Sequence, residues 1–178
     1  MTIPDARAKD PLLTAATGLV WLILAIIAFA GTIVAIGIPG VLLFGAEFVE
    51  APQLNPLSVQ MQTLTCGLLA GVAAVLYLLW RFFQAMEGIV HSVGEGDPFI
   101  PVNADRLTAM GWTMLAINVA AIPLAALGAY IAQLVGEKDV SLEAGIDFGG
   151  IVLVLTLFIL ARVFRHGAAM RDDLEGTV

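Results

Sequence analysis

The chain has 178 residues, of which 60% are hydrophobic and only 13% are charged, and its formal net charge is -7. A water-soluble domain is about half apolar and about one quarter charged, so this composition excludes an ordinary soluble protein. Because nucleic-acid binding requires a basic face, the negative charge argues against nucleic acid as a direct partner. The single cysteine, Cys66, excludes an intramolecular disulfide and a CxxC metal or redox site.

Four apolar runs are each long enough to cross a membrane as a helix, which takes about 20 residues. They cover about residues 12–44, 63–83, 107–135 and 145–164. No small-residue cleavage site follows a short apolar segment at the N-terminus, so we expect the first run to stay in the protein as a helix. An uninterrupted apolar run satisfies its backbone in lipid as a helix. The sequence therefore predicts one all-α domain over residues 1–178, with four transmembrane helices in an antiparallel bundle.

The basic residues predict the orientation of this bundle. Seven of the eight Lys and Arg residues lie before the first run, at either end of loop 84–106, or at the end of the fourth run and in tail 165–178. Lys138, in a short acidic connection, is the exception. By the positive-inside rule, we expect both termini and loop 84–106 to face the cytoplasm, with the chain crossing the membrane several times.

Small residues and one amide are the candidates for helix packing within the membrane. Gly67 and Gly71 in the second run, and Gly145 and Gly149 in the fourth, have the spacing that lets helix backbones approach closely. Packing within one bundle is the simpler interpretation, and a homodimer face is the alternative. Asn118 lies deep in the third run, where we expect a hydrogen bond to another helix; contact with a ligand or ion is the alternative.

Loop 84–106 ends in a polar segment, GEGDPFIPVNADRL, that continues to Leu107. Its glycines and its first proline predict a turn. We expect Asn103 to be the N-cap of the third helix. Arg106 is expected either to reach the lipid phosphates or to pair with an acid of the tail. The segment lacks a phosphate-loop pattern, so it is either a connector or a docking surface.

The remaining polar residues do not form a catalytic set. Serines and threonines occur without a nearby His and acid in the sequence, so we expect no enzyme activity and no cofactor. Glu95 and Asp97, together with His91 or His166, are conceivable metal ligands. Two isolated histidines at a cytoplasmic surface are more often solvated side chains, and the sequence therefore predicts no metal site.

Two helices are expected to extend beyond the membrane into the cytoplasm, each with one apolar stripe. The first stripe is Phe83, Met86, Val90 and Val93. The second is Val163, Gly167, Met170 and Leu174. We expect the two stripes to pack against each other; in the alternative, one of them is a docking groove for a partner.

Two motifs resemble one known family. The first is GDPF, then an Asn and RL-x-x-x-GW, at Gly96–Phe99, Asn103, Arg106–Leu107 and Gly111–Trp112. The second is the ending ARVFRHGAAMRDDLEGTV. Both resemble the YoaS-like bacterial inner-membrane proteins, four-helix proteins grouped as a domain of unknown function. In that family the gene often lies beside a small helix-turn-helix regulator, which implies a transcription regulator as a cytoplasmic partner.

The resemblance directs attention to two cytoplasmic segments. The loop residues are Asp97, Pro98, Phe99, Asn103 and Arg106, and the tail residues are Phe164, Gly167, Asp173 and Thr177. Two functions remain open. The chain is either a regulatory or sensory membrane protein that holds a soluble partner, or an accessory subunit of a larger membrane complex.

Overall fold

A computed structural model of the chain describes residues 11–44, 57–136 and 148–175. Every segment of regular structure in these ranges is a helix, and they contain no strand. The four helices are α1 (Pro11–Phe44), α2 (Leu57–Gly94), α3 (Pro101–Val135) and α4 (Phe148–Glu175). All four are long and apolar enough to cross a membrane. The predicted all-α chain with four helices of spanning length is confirmed.

The ends of α3 follow from local backbone chemistry. Pro101 occupies its first helical position, where the missing N–H costs no hydrogen bond and the fixed φ already suits a helix. At the other end Gly136 adopts a φ of 91° and donates its N–H to the carbonyl oxygens of Ala132 and Gln133. This left-handed conformation is accessible to glycine at little cost and ends the helix.

Internal prolines do not end the helices in which they occur. Pro39 lies inside α1, which continues through it to Phe44. Pro123 likewise lies inside α3. Proline is tolerated within membrane helices because neighbouring groups satisfy the backbone that it leaves unpaired.

Each helix packs against the next one along the chain. Among the described residues, α1 contacts α2, α2 also contacts α3, and α3 also contacts α4. Residues near the start of one helix meet residues near the end of the next. The Cδ2 atom of Leu13 lies over Gly94, and Gln62 donates from Nε2 to the carbonyl oxygen of Val41 at 2.8 Å.

The best-buried cluster joins α3 and α4 near one end of the molecule. Leu107, Met110, Leu157 and Ala161 form it, and several side chains pack around them: Phe82, Ala85, Met86, Ile89, Met114 and Phe164. Among the described residues α2 packs against α1 and α3 but not against α4, so the prediction that the two stripes pack against each other is wrong. Val93, Val163 and Met170 are exposed, and the side chain of Leu174 lies outside the described residues. In α2 the packing face is displaced from the predicted stripe. In a chain this rich in apolar residues, more than one helix face is apolar, so periodicity alone does not select the buried one.

Many of the large apolar side chains of the described residues are exposed on the surface. On α1 the exposed positions recur at helical spacing, and they include Leu22, Ile26, Phe29 and Ile33, each more than half exposed. Water-soluble proteins rarely expose continuous apolar patches above a few hundred Å². The outer faces of these helices are suited to contact with lipid.

Candidate functional site

A buried amide organises one end of the molecule. Asn103 is fully buried, in the first turn of α3. Its Nδ2 donates to Ser92 Oγ at 2.6 Å and to the carbonyl oxygen of Pro98 at 2.9 Å. The predicted N-cap role is wrong, because Ile100 is the N-cap residue and its side chain makes no capping bond. Asn103 instead ties α3 to α2 and to the segment between them.

Arg106 extends this network to α2. Its Nη1 donates to Asn103 Oδ1 at 2.9 Å and to the carbonyl oxygen of Gly88 at 2.8 Å. The sequence predicted a lipid phosphate or an acid of the tail as its partner; among the described residues its partners are instead a backbone carbonyl of α2 and the amide of Asn103. A Cβ atom on Gly88 would lie 2.6 Å from Arg106 Cζ, so the absence of a side chain there makes room for the guanidinium group.

Residues 95–100 connect α2 to α3, and we call them the connector. Three backbone hydrogen bonds close the turn, from the N–H groups of Glu95, Gly96 and Asp97 to carbonyl oxygens in the last turn of α2. Gly96 has a φ of 87°, in the region that glycine adopts readily. The predicted turn is confirmed at this residue, whereas Gly94 is still part of α2.

The connector is held against α4 by three contacts. Asp97 Oδ2 forms an ion pair with Arg171 Nη1. The rings of Phe99 and Phe164 pack with their centroids 5.1 Å apart. Gly167 lies directly under Phe99, so that a Cβ atom there would be 2.8 Å from Phe99 Cδ1. The structure thus brings loop and tail residues together. We call the Asn103 network, the connector and these α4 contacts the clamp.

One ion pair and one contact between a histidine and a carboxylate lie on the surface around the clamp. Arg165 Nη2 is 3.3 Å from Asp105 Oδ1, and His91 Nδ1 is 3.4 Å from Glu95 Oε1. All four side chains are well exposed to solvent. Such pairs contribute at most about 1 kcal/mol to stability, so we assign the order of the connector to the buried amide and the aromatic contact instead.

The predicted packing residues have different outcomes. A Cβ atom on Gly71 would overlap Leu124 Cδ2, and one on Gly67 would reach Leu127 Cδ2 at 4.0 Å, so these glycines face α3 of the same chain. Asn118 donates to the carbonyl oxygen of Met114 at 2.9 Å. The predicted bond to another helix is therefore wrong, because the amide is satisfied four residues back in its own helix.

Two of the remaining predicted residues lie near the ends of α4. Gly149 is in its first turn and is exposed, and Asp173 is exposed near its last turn. Gly145 and Thr177 lie outside the described residues.

The conceivable metal ligands do not converge in the described part of the chain. Residues 11–44, 57–136 and 148–175 contain no group of three or more His, Cys, Asp or Glu side chains that could hold a metal ion. His91 pairs with Glu95, and Asp97 pairs with Arg171. These side chains are used in ion pairs that hold or surround the connector.

Sequence reasoning missed three members of the clamp: Gly88, Ser92 and Arg171. Gly88 does carry a signal, because a glycine inside a helix costs about 1 kcal/mol relative to alanine and its presence suggests close contact. Ser92 and Arg171 have no comparable signal, since their roles depend on partners that only the folded chain brings near.

The fold and site define a class: an all-α protein with four helices of membrane-spanning character and a polar clamp at one end. The chain belongs to the family described as "Protein of unknown function (DUF2975)", whose sequence profile matches residues 6–178. The expected grouping with a domain of unknown function is thereby confirmed. Neither the curated proteins nor the solved structures contain a match to this chain.

Proposed function

We propose that this chain is a multi-pass protein of the bacterial inner membrane that holds a soluble protein at its cytoplasmic face. In this proposal residues 1–178 form one domain, the four helices cross the bilayer as an antiparallel bundle, and both termini are cytoplasmic. The clamp then lies below the membrane, with no catalytic activity and no cofactor. Basic residues gathered at the clamp end support this orientation by the positive-inside rule.

The observation that carries the docking proposal is apolar surface around the clamp. Val93, Phe99, Val102 and Met170 lie at this end of the molecule and are between 42% and 56% exposed. Beneath them the backbone is fixed by Asn103 and by the contacts between connector and α4. A rigid surface with exposed apolar side chains and charged neighbours has the composition of a transient protein interface.

The proposed partner is a small helix-turn-helix regulator. This assignment rests on the resemblance of the two cytoplasmic motifs to the YoaS-like proteins. A membrane protein that binds such a regulator can keep it away from DNA until a signal releases it. The acidic side chains near the docking surface, such as Glu95 and Asp105, are suited to attract the basic face that a DNA-binding domain carries.

A second function is supported by the position of α1. Among the described helices α1 contacts only α2, and its remaining faces are apolar and exposed. A Cβ atom on Gly18 or Gly31 would meet nothing within 4 Å. Such a face suits another membrane helix, either from a larger complex or from a second copy of this chain. In that function the clamp is a structural connection only.

The orientation is tested by labelling single cysteines in intact cells. In a Cys66→Ala background, Glu95→Cys and Lys138→Cys place one thiol each on the two predicted sides. We expect a membrane-impermeant maleimide to label position 138 in spheroplasts and position 95 only after the membrane is permeabilised. Labelling of position 95 in sealed spheroplasts would place the clamp outside and end the docking proposal.

The docking surface is tested by co-purification from membranes. Val102→Glu and Met170→Glu each put a charge into the exposed apolar surface without touching the buried network. We expect either change to reduce recovery of the proposed helix-turn-helix regulator by about tenfold, the loss of about 1.4 kcal/mol of binding. Gln84→Glu, an exposed change on α2, is the matched control and should leave recovery unchanged.

Three results of this experiment are informative. Loss of the regulator with the two surface variants and not with the control supports docking at the clamp. Equal recovery from all variants means that the regulator binds elsewhere. If wild-type protein co-purifies only with integral membrane proteins, the accessory function replaces the docking one.

A further inference from the structure

A basic groove lies between α3 and α4, next to the clamp. It encloses about 500 Å³ and is lined by Thr108 on α3 and by residues along α4: Phe158, Ala161, Arg162, Arg165, His166 and Ala169. Two of these are arginines and one is a histidine, in a chain that has only eight Lys and Arg and a net charge of -7. The groove therefore concentrates positive charge against the trend of the whole molecule.

The cations of the groove are only partly neutralised. Arg165 pairs with Asp105 at 3.3 Å, and both side chains are well exposed, so this carboxylate leaves room for a second partner. Arg162 makes no ion pair with any described residue. Its guanidinium group has five N–H donors in a planar fork that matches the oxygen atoms of a phosphate.

The opposite part of the groove is apolar and continues along the helices. Phe158 packs edge-on against the ring of Trp112, with the centroids 5.5 Å apart. Trp112 is 61% exposed, and exposed apolar side chains follow it on both helices, including Val119 on α3 and Leu155 on α4. A ligand that fits this surface has an anionic head and a long apolar tail.

We propose that the groove between α3 and α4 binds an anionic phospholipid. Arg162, Arg165 and His166 contact the phosphate of the headgroup, and one acyl chain lies along Phe158 and Trp112. Basic pockets between membrane helices on the cytoplasmic side are suited to such headgroups. The lipid, rather than a free phosphate, is the favoured ligand because Phe158 of the groove packs against the exposed ring of Trp112, which gives an acyl chain an apolar surface beside the cations.

This inference rests on the proposed membrane placement and adds a specific ligand to it. It also connects the lipid to the clamp. Arg165 pairs with Asp105 in the second turn of α3, and Gly167 supports the connector from the same stretch of α4. Occupancy of the groove thus restrains the part of α4 against which the connector packs.

The test uses the fluorescence of Trp112 in reconstituted vesicles. Trp21→Phe and Trp80→Phe leave Trp112 as the one tryptophan of the chain. Vesicles of phosphatidylcholine contain either brominated phosphatidylcholine or brominated phosphatidylglycerol, whose bromine atoms quench a tryptophan on contact. We expect the brominated anionic lipid to quench Trp112 at severalfold lower mole fraction, because each cation near an anionic lipid strengthens binding by about fivefold.

Three variants distinguish lipid binding in the groove from a general effect of surface charge. Arg162→Gln with Arg165→Gln should abolish the preference for phosphatidylglycerol. Arg81→Gln removes an exposed arginine outside the groove and should leave the preference intact. Asp105→Asn frees Arg165 from its carboxylate and should strengthen the preference by about twofold to fivefold, the effect of one neighbouring charge.

The outcomes distinguish this inference from the membrane placement. Equal quenching by the two brominated lipids in wild type overturns the groove proposal and leaves the placement intact. No quenching of Trp112 by either lipid contradicts the placement itself. If Arg81→Gln lowers the preference for phosphatidylglycerol as much as Arg162→Gln with Arg165→Gln does, the preference is a general effect of surface charge. The groove is then not a lipid-binding site. Suppression of the preference by inorganic phosphate in the millimolar range would identify a free anion as the ligand and overturn the lipid assignment.

Discussion

Asn103→Leu is expected to lower the free energy of unfolding by about 2–4 kcal/mol, the usual cost of breaking a buried hydrogen-bond network. Leucine has a similar size but cannot donate to Ser92 Oγ and the Pro98 carbonyl, nor accept from Arg106. The buried Ser92 hydroxyl then keeps only its bond to the carbonyl oxygen of Ile89, and the half-buried Pro98 carbonyl loses its amide partner. Reversible unfolding in mixed micelles with increasing denaturing detergent measures this loss.

Asn118→Leu is the matched control, because it makes the same chemical change in the same helix. Asn118 is half-buried and bonds only to a carbonyl oxygen four residues back in its own helix. Its replacement should change stability by no more than about 0.5 kcal/mol, since no second segment loses a partner. Ser92→Ala should be intermediate, because the amide of Asn103 keeps its bond to Pro98. Equal losses for both asparagines would show that the network does not hold the clamp together.

The contrast between these two asparagines shows where sequence reasoning succeeds and fails. Helix number and spanning length follow from long apolar runs, because the cost of unpaired backbone in lipid leaves few other structures. Side-chain partners do not follow in this way. Asn118 lies deep in a membrane run and was expected to bridge helices, but a local carbonyl satisfies it. Asn103 was expected to bond locally as a cap, yet it joins three segments.

The misassigned cap has a specific physical cause. Pro101 fixes the first helical position of α3, which moves the start of the helix ahead of Asn103. The polar side chain then enters the helix at its third position, facing α2. A proline two residues before a candidate cap is the sequence signal that would have corrected the prediction.

The structure brings the loop and tail residues named by the motifs together, but the sequence did not predict their contacts. The motifs pointed to Asp97, Phe99 and Arg106 on one side and to Phe164 and Gly167 on the other. Their contacts depend on the way in which α4 packs against α3, and periodicity in this apolar chain does not determine that packing. Arg106 illustrates the point, because its partner on α2 is the backbone carbonyl of Gly88, and a backbone carbonyl has no signature in the sequence.

Gly167→Val is expected to destabilise the protein by about 2–3 kcal/mol, in the range for inserting methyl groups into a packed contact. The new Cβ atom would lie 2.8 Å from Phe99 Cδ1 and 3.2 Å from its Cε1. The ring packs against Phe164 and belongs to a connector that Asp97 and Asn103 hold in place. It has little room to withdraw, so the connector must separate from α4. Gly128→Val is the control, because a Cβ atom there would meet nothing within 4 Å.

A double-mutant cycle with Phe99→Ala decides whether the contact between residue 167 and the Phe99 ring causes the destabilisation. If Phe99 is the obstacle, Gly167→Val should cost at least about 1 kcal/mol less once the ring is removed, since residues in contact show coupling of that size. Additive effects would mean that valine disturbs α4 in some other way. The same variants also bear on docking, because the proposed surface includes Phe99 itself. In the Gly167→Val variant the connector separates from α4 while the protein stays folded in the membrane. We expect this variant to lose binding of the soluble partner.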